Sequence, residues 1–139
     1  FDGDRQPLDS SLITLATHRV FSAQGLREIT GQDDLSEALH TVAGPHQGYF
    51  AVTDGARGAY SLESGKTVHY QSFDVASVDT LGAGDVWHGA FALALAEGQP
   101  IPAAIRFASA TAALKCTARG GGMAAPLRDA VDALLRRPA

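Results

Sequence analysis

Residues 78–91 read VDTLGAGDVWHGAF, and this stretch decides the fold because a glycine-rich turn runs directly into an apolar helix. The glycines at positions 82 and 84 allow the backbone to bring its N–H groups close to a ligand. The helix that follows adds unpaired first-turn donors and the positive end of its dipole. The stretch therefore predicts an anion site that suits phosphate oxygens.

Asp85 stands where the turn becomes the helix, and two interpretations apply to it. A carboxylate at a helix N-terminus is ordinarily a cap. Alternatively, Asp85 takes a proton from a hydroxyl group while the neighbouring amides hold the charge that builds on a transferring phosphoryl group. The local pattern leaves both interpretations open.

Composition and charge exclude several classes of function. The chain has 139 residues, 45% of them hydrophobic, which is enough for a core. Its net charge is −4 and its basic residues are scattered, so we expect no nucleic-acid partner. No apolar run reaches membrane-spanning length, so we expect no membrane partner. The single cysteine, Cys116, fits a reducing compartment and predicts a cytoplasmic location.

Hydrophobic periodicity predicts alternating strands and helices, followed by a meander. Strands are predicted at 19–22 and 49–53, and an antiparallel pair at 59–62 and 67–70. Helices are predicted after Asp9 or Ser10, as a short turn over 26–29, and from Asp33 or Asp34 to Gly44-Pro45. Longer helices are predicted over 84–96, 102–116 and 129–136, and a flexible loop at 120–122. The sequence therefore predicts an α/β fold.

The motif at residues 79–85, DTLGAGD, followed by GAF at 89–91, resembles the C-terminal signature of the ribokinase/PfkB family of sugar and nucleoside kinases. The residues of this motif are similar to those of the ketohexokinase signature in particular. The resemblance implies a ribokinase-like layered α/β/α sandwich with an antiparallel meander at one sheet edge. It also implies that Asp85 is the catalytic base and that the amides of Gly82, Ala83, Gly84 and Asp85 form the anion hole.

The same resemblance implies where ATP and a monovalent cation would bind. Thr53, Gly55 and Gly58 would lie in a Thr-x-Gly phosphate loop, and Ser109 and Ala113 would face the nucleotide. Asp79 would help to organise a monovalent cation or the nucleotide end of the site, and backbone carbonyls near Ala118 and Gly120 would coordinate potassium. From local pattern alone these features read as an ordinary glycine turn, an alanine-rich packing face and a flexible loop.

Several positions depart from the family pattern. Asp54 stands where leucine is commoner, and a carboxylate near phosphates needs a cation or must point away. Ser22 and Gly25 stand where many relatives carry an Asn-x-x-Glu motif associated with Mg²⁺, and the chain has no asparagine at all. His88 stands where relatives usually have asparagine. We interpret it as a packing or hydrogen-bonding substitute, since a lone histidine is seldom a metal site.

Residues 1–5 read as the end of a strand and its turn, and family members are about twice as long as this chain. We therefore expect residues 1–139 to be the C-terminal nucleotide-binding and catalytic part of a ribokinase-like domain, without the N-terminal half and the lid. Relatives often dimerise through the lid, so a homodimer is one option.

The predicted function is an ATP- and Mg²⁺-dependent kinase that phosphorylates a hydroxyl of a small sugar. The isolated chain is expected to be inactive. The alternatives are a noncatalytic nucleotide-binding or assembly fragment and a nucleoside kinase.

Overall fold

The computed structural model describes residues 10–44 and 46–137. The turn predicted at residues 1–5, the candidate cap Asp9 and Pro45 lie outside these residues. The chain divides into two compact units, Phe1–Gln71 and Ser72–Ala139.

The first unit contains a four-stranded mixed sheet in the order β1-β2-β3-β4. Its strands are β1 (His18–Ser22), β2 (Tyr49–Thr53), β3 (Ala59–Glu63) and β4 (Lys66–Tyr70). β1 and β2 are parallel, so their carboxyl ends meet at one edge, where Ser22 pairs with Thr53. The remaining strands form the predicted antiparallel meander.

Within its described residues, the first unit also contains the helices α1 (Ser10–Leu15), α2 (Ala23–Thr30) and α3 (Leu35–Ala43). The predicted turn over 26–29 was too short, because Ser22 caps a full helix by accepting a hydrogen bond from the Gly25 N–H at 3.0 Å. Asp34 caps α3 in the same way, through the Glu37 N–H at 2.9 Å. The core of this unit joins apolar residues of α2, α3 and the sheet, including Phe21, Leu26, Leu39, Phe50 and Val52.

Arg19 is an unusual component of the first unit because its side chain is buried. Its guanidinium donates hydrogen bonds to the carbonyls of Ile13, Thr14 and Gln47, and its central carbon lies 4.7 Å from the Phe50 ring centroid. These contacts supply the partners that a buried charge requires. Arg19 thereby ties the end of α1 and the approach to β2 onto β1.

The second unit is helical and contains α4 (Ala83–Ala96), α5 (Ile101–Cys116) and α6 (Arg128–Leu135). Helices α4 and α5 pack on each other and bury several alanines, as well as a stack of Trp87 on Phe91 with ring centroids 5.0 Å apart. A 3-10 turn, Gly121–Ala124, replaces the flexible loop predicted at 120–122. None of the helices in the described ranges is long and apolar enough to cross a membrane.

Candidate active site

The turn before α4 is built around Gly82, which occupies the N-cap position with φ 75° and ψ 7°. This left-handed conformation is unfavourable for residues with a β-carbon, so the turn needs glycine at this point. The helix N-terminus that follows is formed by Ala83, Gly84 and Asp85. The sequence pattern therefore folds as predicted, with α4 beginning one residue earlier than expected.

The backbone N–H groups of this turn are mostly unpaired. Ala83 N donates to Thr80 O at 3.1 Å, and Val86 N donates to Gly82 O at 3.0 Å. Among the residues that the structure describes, the N–H groups of Gly82, Gly84 and Asp85 have no acceptor. The predicted anion hole therefore has three free donors, while the N–H of Ala83 is already used. With the positive end of the α4 dipole, these donors suit a phosphate oxygen.

Asp85 lies in the first turn of α4, and its side chain is exposed. No side-chain hydrogen bond caps α4, and within the described part of the chain the Asp85 carboxylate accepts no hydrogen bond. The cap interpretation therefore has no contact to support it here. Both carboxylate oxygens are therefore free of hydrogen bonds from the described residues.

Asp79 connects this turn to the loop that follows α5. Its Oδ1 accepts from Leu81 N at 2.9 Å, and its Oδ2 accepts from Gly120 N at 3.1 Å and Gly121 N at 3.3 Å. These backbone hydrogen bonds, with a smaller contribution from the Lys115 charge, lower the pKa of the Asp79 carboxyl to about 2. Asp79 thus holds together two loops that are 41 residues apart along the chain.

Lys115 is a residue of this region that the sequence reasoning missed. It lies in the last turn of α5 with its side chain fully buried, and its Nζ donates to Asp79 O at 2.7 Å. The same nitrogen lies 3.5 Å from Asp79 Oδ2. Its position gave a signal, because Ala104, Ala108, Thr111 and Lys115 follow one another at helical spacing, and a charge on an otherwise small buried face requires a partner.

His88 contacts the first turn of its own helix. Its Nδ1 donates to Gly84 O at 2.9 Å, while its Nε2 is buried without a partner among the described residues. The described residues contain no group of three His, Cys, Asp or Glu side chains that could hold a metal ion. The geometry therefore agrees with a hydrogen-bonding role for His88.

The predicted phosphate loop lies in the first unit, directly after β2. Thr53 ends the strand, and Gly55 opens a 3-10 turn, Gly55–Arg57, that Gly58 closes. Asp54 is buried, and its carboxylate is bound by the Arg57 guanidinium through two hydrogen bonds of 2.7 Å each. This hydrogen-bonded pairing lowers the pKa of the Asp54 carboxyl. Arg57 therefore supplies the cation that a carboxylate at this position requires.

Ser109 and Ala113, predicted to face a nucleotide, are both buried on α5. The Ser109 hydroxyl accepts a hydrogen bond from Trp87 Nε1 at 3.1 Å, which joins α5 to α4. Ala118 is exposed, and its N–H donates to Lys115 O at 3.1 Å. The second unit thus brings together Asp85, the glycine turn, Asp79 and the loop at Gly120, and the first unit holds Thr53, Gly55 and Gly58.

The residues of the glycine turn and of the loop after α5 lie within a match to a known protein family. A model described as the pfkB family of carbohydrate kinases matches residues 3–128, which includes the glycine turn and Asp85. The chain belongs to the PfkB family.

PfkB relatives are similar to the chain over nearly all of its length. The ribokinase of Bacillus subtilis is 35% identical over 130 residues, which are 94% of this chain and 43% of that protein. Arabidopsis thaliana ribokinase, solved with ribose and ATP, has a TM-score of 0.89 and 25% identity, and the match covers 99% of this chain and 47% of that one.

A fructokinase double mutant from Vibrio cholerae, in a form with fructose, ADP and a potassium ion, is also similar in structure. Its TM-score is 0.83 with 28% identity, over 91% of this chain and 43% of that one. The chain spans less than half the length of each of these three relatives. The predicted family and the ribokinase-like α/β fold are confirmed. The likeness to ketohexokinases in particular stays a prediction.

Proposed function

We propose that the complete protein carrying this chain is an ATP-dependent kinase that transfers the γ-phosphoryl group to a hydroxyl of a small sugar. Membership of the PfkB family supports this proposal, and so do relatives that are ribokinases and a fructokinase. We further propose that residues 1–139 are the C-terminal nucleotide-binding and catalytic part of that enzyme.

The observation that carries the proposal is the free Asp85 carboxylate beside the free N–H groups of Gly82, Gly84 and Asp85. In the proposed reaction, Asp85 accepts the proton of the attacking sugar hydroxyl. The amides donate hydrogen bonds to the phosphoryl oxygens, on which negative charge is spread during transfer. One short turn thereby serves both the nucleophile and the group that is transferred.

The ATP phosphates are proposed to bind at Thr53, Gly55 and Gly58, all of which belong to the first unit. The carboxyl ends of the parallel strands β1 and β2 meet beside Thr53, which is where open α/β sheets bind ligands. Pairing with Arg57 reduces the repulsion that Asp54 would exert on phosphates.

Mg²⁺ is expected to enter with the ATP phosphates. The described residues contain no cluster of side chains that would hold it, and Ser22 and Gly25 are engaged in capping α2. The geometry gives less support to a potassium ion at Asp79, Ala118 and Gly120, because the Lys115 ammonium already lies against Asp79.

The test is the substitution Asp85→Asn in the complete protein, assayed with ATP against a panel of sugars that includes ribose and fructose and against a panel of nucleosides. We expect turnover to fall by about 10²- to 10⁴-fold, the usual contribution of a general base. ATP affinity, measured by calorimetry, should stay within about twofold, because the variant keeps the backbone donors that bind phosphate.

Asp129→Asn is the matched control, since Asp129 is also an exposed aspartate in the first turn of a helix. Its turnover should equal that of the wild type. Unchanged turnover in Asp85→Asn would contradict the proposal. Phosphorylation of nucleosides, but of no sugar in the panel, would instead assign the enzyme to nucleoside kinases.

A further inference from the structure

A fully buried lysine ammonium lies beside the turn that carries the proposed anion hole. Lys115 Nζ donates to Asp79 O at 2.7 Å and lies 3.5 Å from Asp79 Oδ2. Lys115 is in the last turn of α5, where the negative end of the helix dipole favours a cation. No step of the proposed phosphoryl transfer uses this charge. Its burial therefore calls for another role.

The environment of the ammonium is one that suits a small monovalent cation. A backbone carbonyl, a carboxylate oxygen and a helix C-terminus surround it, and oxygen atoms of this kind coordinate potassium in proteins. Lysine presents a compact point charge with three donors at the end of a flexible stem. It can therefore occupy such a position without a free ion.

Asp79 has little capacity left for an additional cation. Its carboxylate accepts hydrogen bonds from three backbone N–H groups, of Leu81, Gly120 and Gly121, besides lying near Lys115. A potassium ion bound to the same carboxylate would lie within a few ångströms of the ammonium, and the two like charges would repel. The residues present do not fit a potassium ion at Asp79 while Lys115 is there.

We propose that the Lys115 ammonium takes the place of a bound monovalent cation at Asp79, and that it positions the turn of residues 79–84 without potassium. Lys115 is a positioning residue: it acts through the Asp79 backbone and carboxylate on the amides of Gly82 and Gly84. The tests of this inference that measure kinase activity rest on the proposed function, whereas those that measure Tm do not.

The wild-type complete protein gives the first test. Its Tm and its kinase activity are compared in potassium chloride and in choline chloride at equal ionic strength. We expect both quantities to be insensitive to the choice of salt. A wild-type protein whose activity or Tm rises markedly with potassium would overturn the proposal, whether or not any variant folds.

The substitution Lys115→Ala gives the second test, because it removes the ammonium and leaves room for an ion. In choline chloride we expect a loss in kcat/KM of roughly 10- to 100-fold, the range for a lost hydrogen bond to a charged group. Potassium should restore most of that loss and raise the Tm of the variant, whereas lithium should not. Lys115→Met, which fills the space with an apolar chain, should lose activity without rescue.

Lys66→Ala is the control, since Lys66 is the other lysine of the chain and lies exposed on the β3–β4 hairpin. It should resemble the wild type in both salts. If Lys115→Ala folds but potassium raises neither its Tm nor its activity, the proposal that the Lys115 ammonium takes the place of a cation is refuted. The Tm comparison needs no turnover, so an absence of kinase activity in every protein would refute the proposed function and leave the cation test intact.

Discussion

A β-carbon on Gly82 would lie 2.7 Å from the amide nitrogen of Gly122, closer than atoms of this kind approach in folded proteins. Gly82 lies in the turn before α4 and Gly122 lies in the 3-10 turn after α5, so the main chains of these two turns approach closely here. Because both turns are main chain at this point, neither can move aside as a side chain would. The position of the proposed anion hole thus depends on the absence of a side chain at residue 82.

Gly82→Ala should therefore displace the turn and reduce kinase activity by at least tenfold, while costing about 1–2 kcal/mol in the left-handed conformation alone. Enzyme kinetics and urea unfolding of the complete protein measure the two effects. Gly89→Ala is the control, because it is inside α4 and nothing lies within 4 Å of the position that a β-carbon would take there. That control should gain up to about 1 kcal/mol of stability, as alanine does over glycine in helices. Full activity in Gly82→Ala would contradict the close-approach argument.

Asp79→Asn should destabilise the protein in a pH-dependent way. The Asp79 pKa is lowered from its usual 3.8 to about 2, so the carboxylate stabilises the fold above its unfolded-state pKa. That stabilisation is lost as the pH falls from about 4 towards 2. The difference in urea midpoint between the wild type and the variant should be constant from neutral pH to about 5 and shrink below that.

Asp74→Asn serves as the control for this series, since Asp74 is exposed and accepts no hydrogen bond among the described residues. It should follow the wild type across the range. A gap between wild type and Asp79→Asn that persists unchanged at the acid end would mean that packing, and not the carboxylate charge, holds the two loops.

Arg57→Gln should weaken ATP binding by only about twofold to fivefold, because it leaves the Asp54 charge uncompensated but solvent screens the interactions of a pair whose arginine side chain is exposed. Asp54→Asn combined with Arg57→Gln should restore the affinity. Isothermal titration with ATP measures each variant, and Arg136→Gln, an exposed arginine at the end of α6, controls for net charge. A double variant that binds ATP as weakly as Arg57→Gln would show that Arg57 acts on ATP directly.

Arg19→Met should lower the free energy of unfolding by about 2–4 kcal/mol, because the buried Ile13 carbonyl and the partly buried Gln47 carbonyl lose their donor. Urea unfolding of the complete protein measures the loss. Arg137→Met, at an exposed arginine, should change stability by less than about 0.5 kcal/mol, as surface substitutions usually do. An equal loss in the two variants would point to a general effect of removing charge.

The elements that carry strong local signals could be predicted from the sequence. Strand β2 runs over the predicted 49–53, and α4 begins within one residue of the expected start, because a continuous apolar run and a glycine turn are short-range features. Helix α2 is longer than the predicted turn over 26–29, because Ser22 both ends β1 and caps the helix, and serine is a favoured cap.

Contacts between residues that are far apart in the chain could not be predicted from the sequence. Lys115 and Asp79 are 36 residues apart, and no local pattern shows that a lysine at the end of one helix reaches the loop before another. The Asp54–Arg57 pair could have been found, since the two residues are three apart and of opposite charge.

The Asp79 carboxylate accepts hydrogen bonds from Leu81, Gly120 and Gly121, and this sharing affects local opening of the region. Amide protons exchange with solvent only when their hydrogen bonds open, and neighbouring bonds that depend on one acceptor open as a unit. Withdrawal of Asp79 would release all three protons in a single event. The protection of these three protons in the native protein should then reflect one common opening event, which would report how often the turn before α4 separates from the loop after α5.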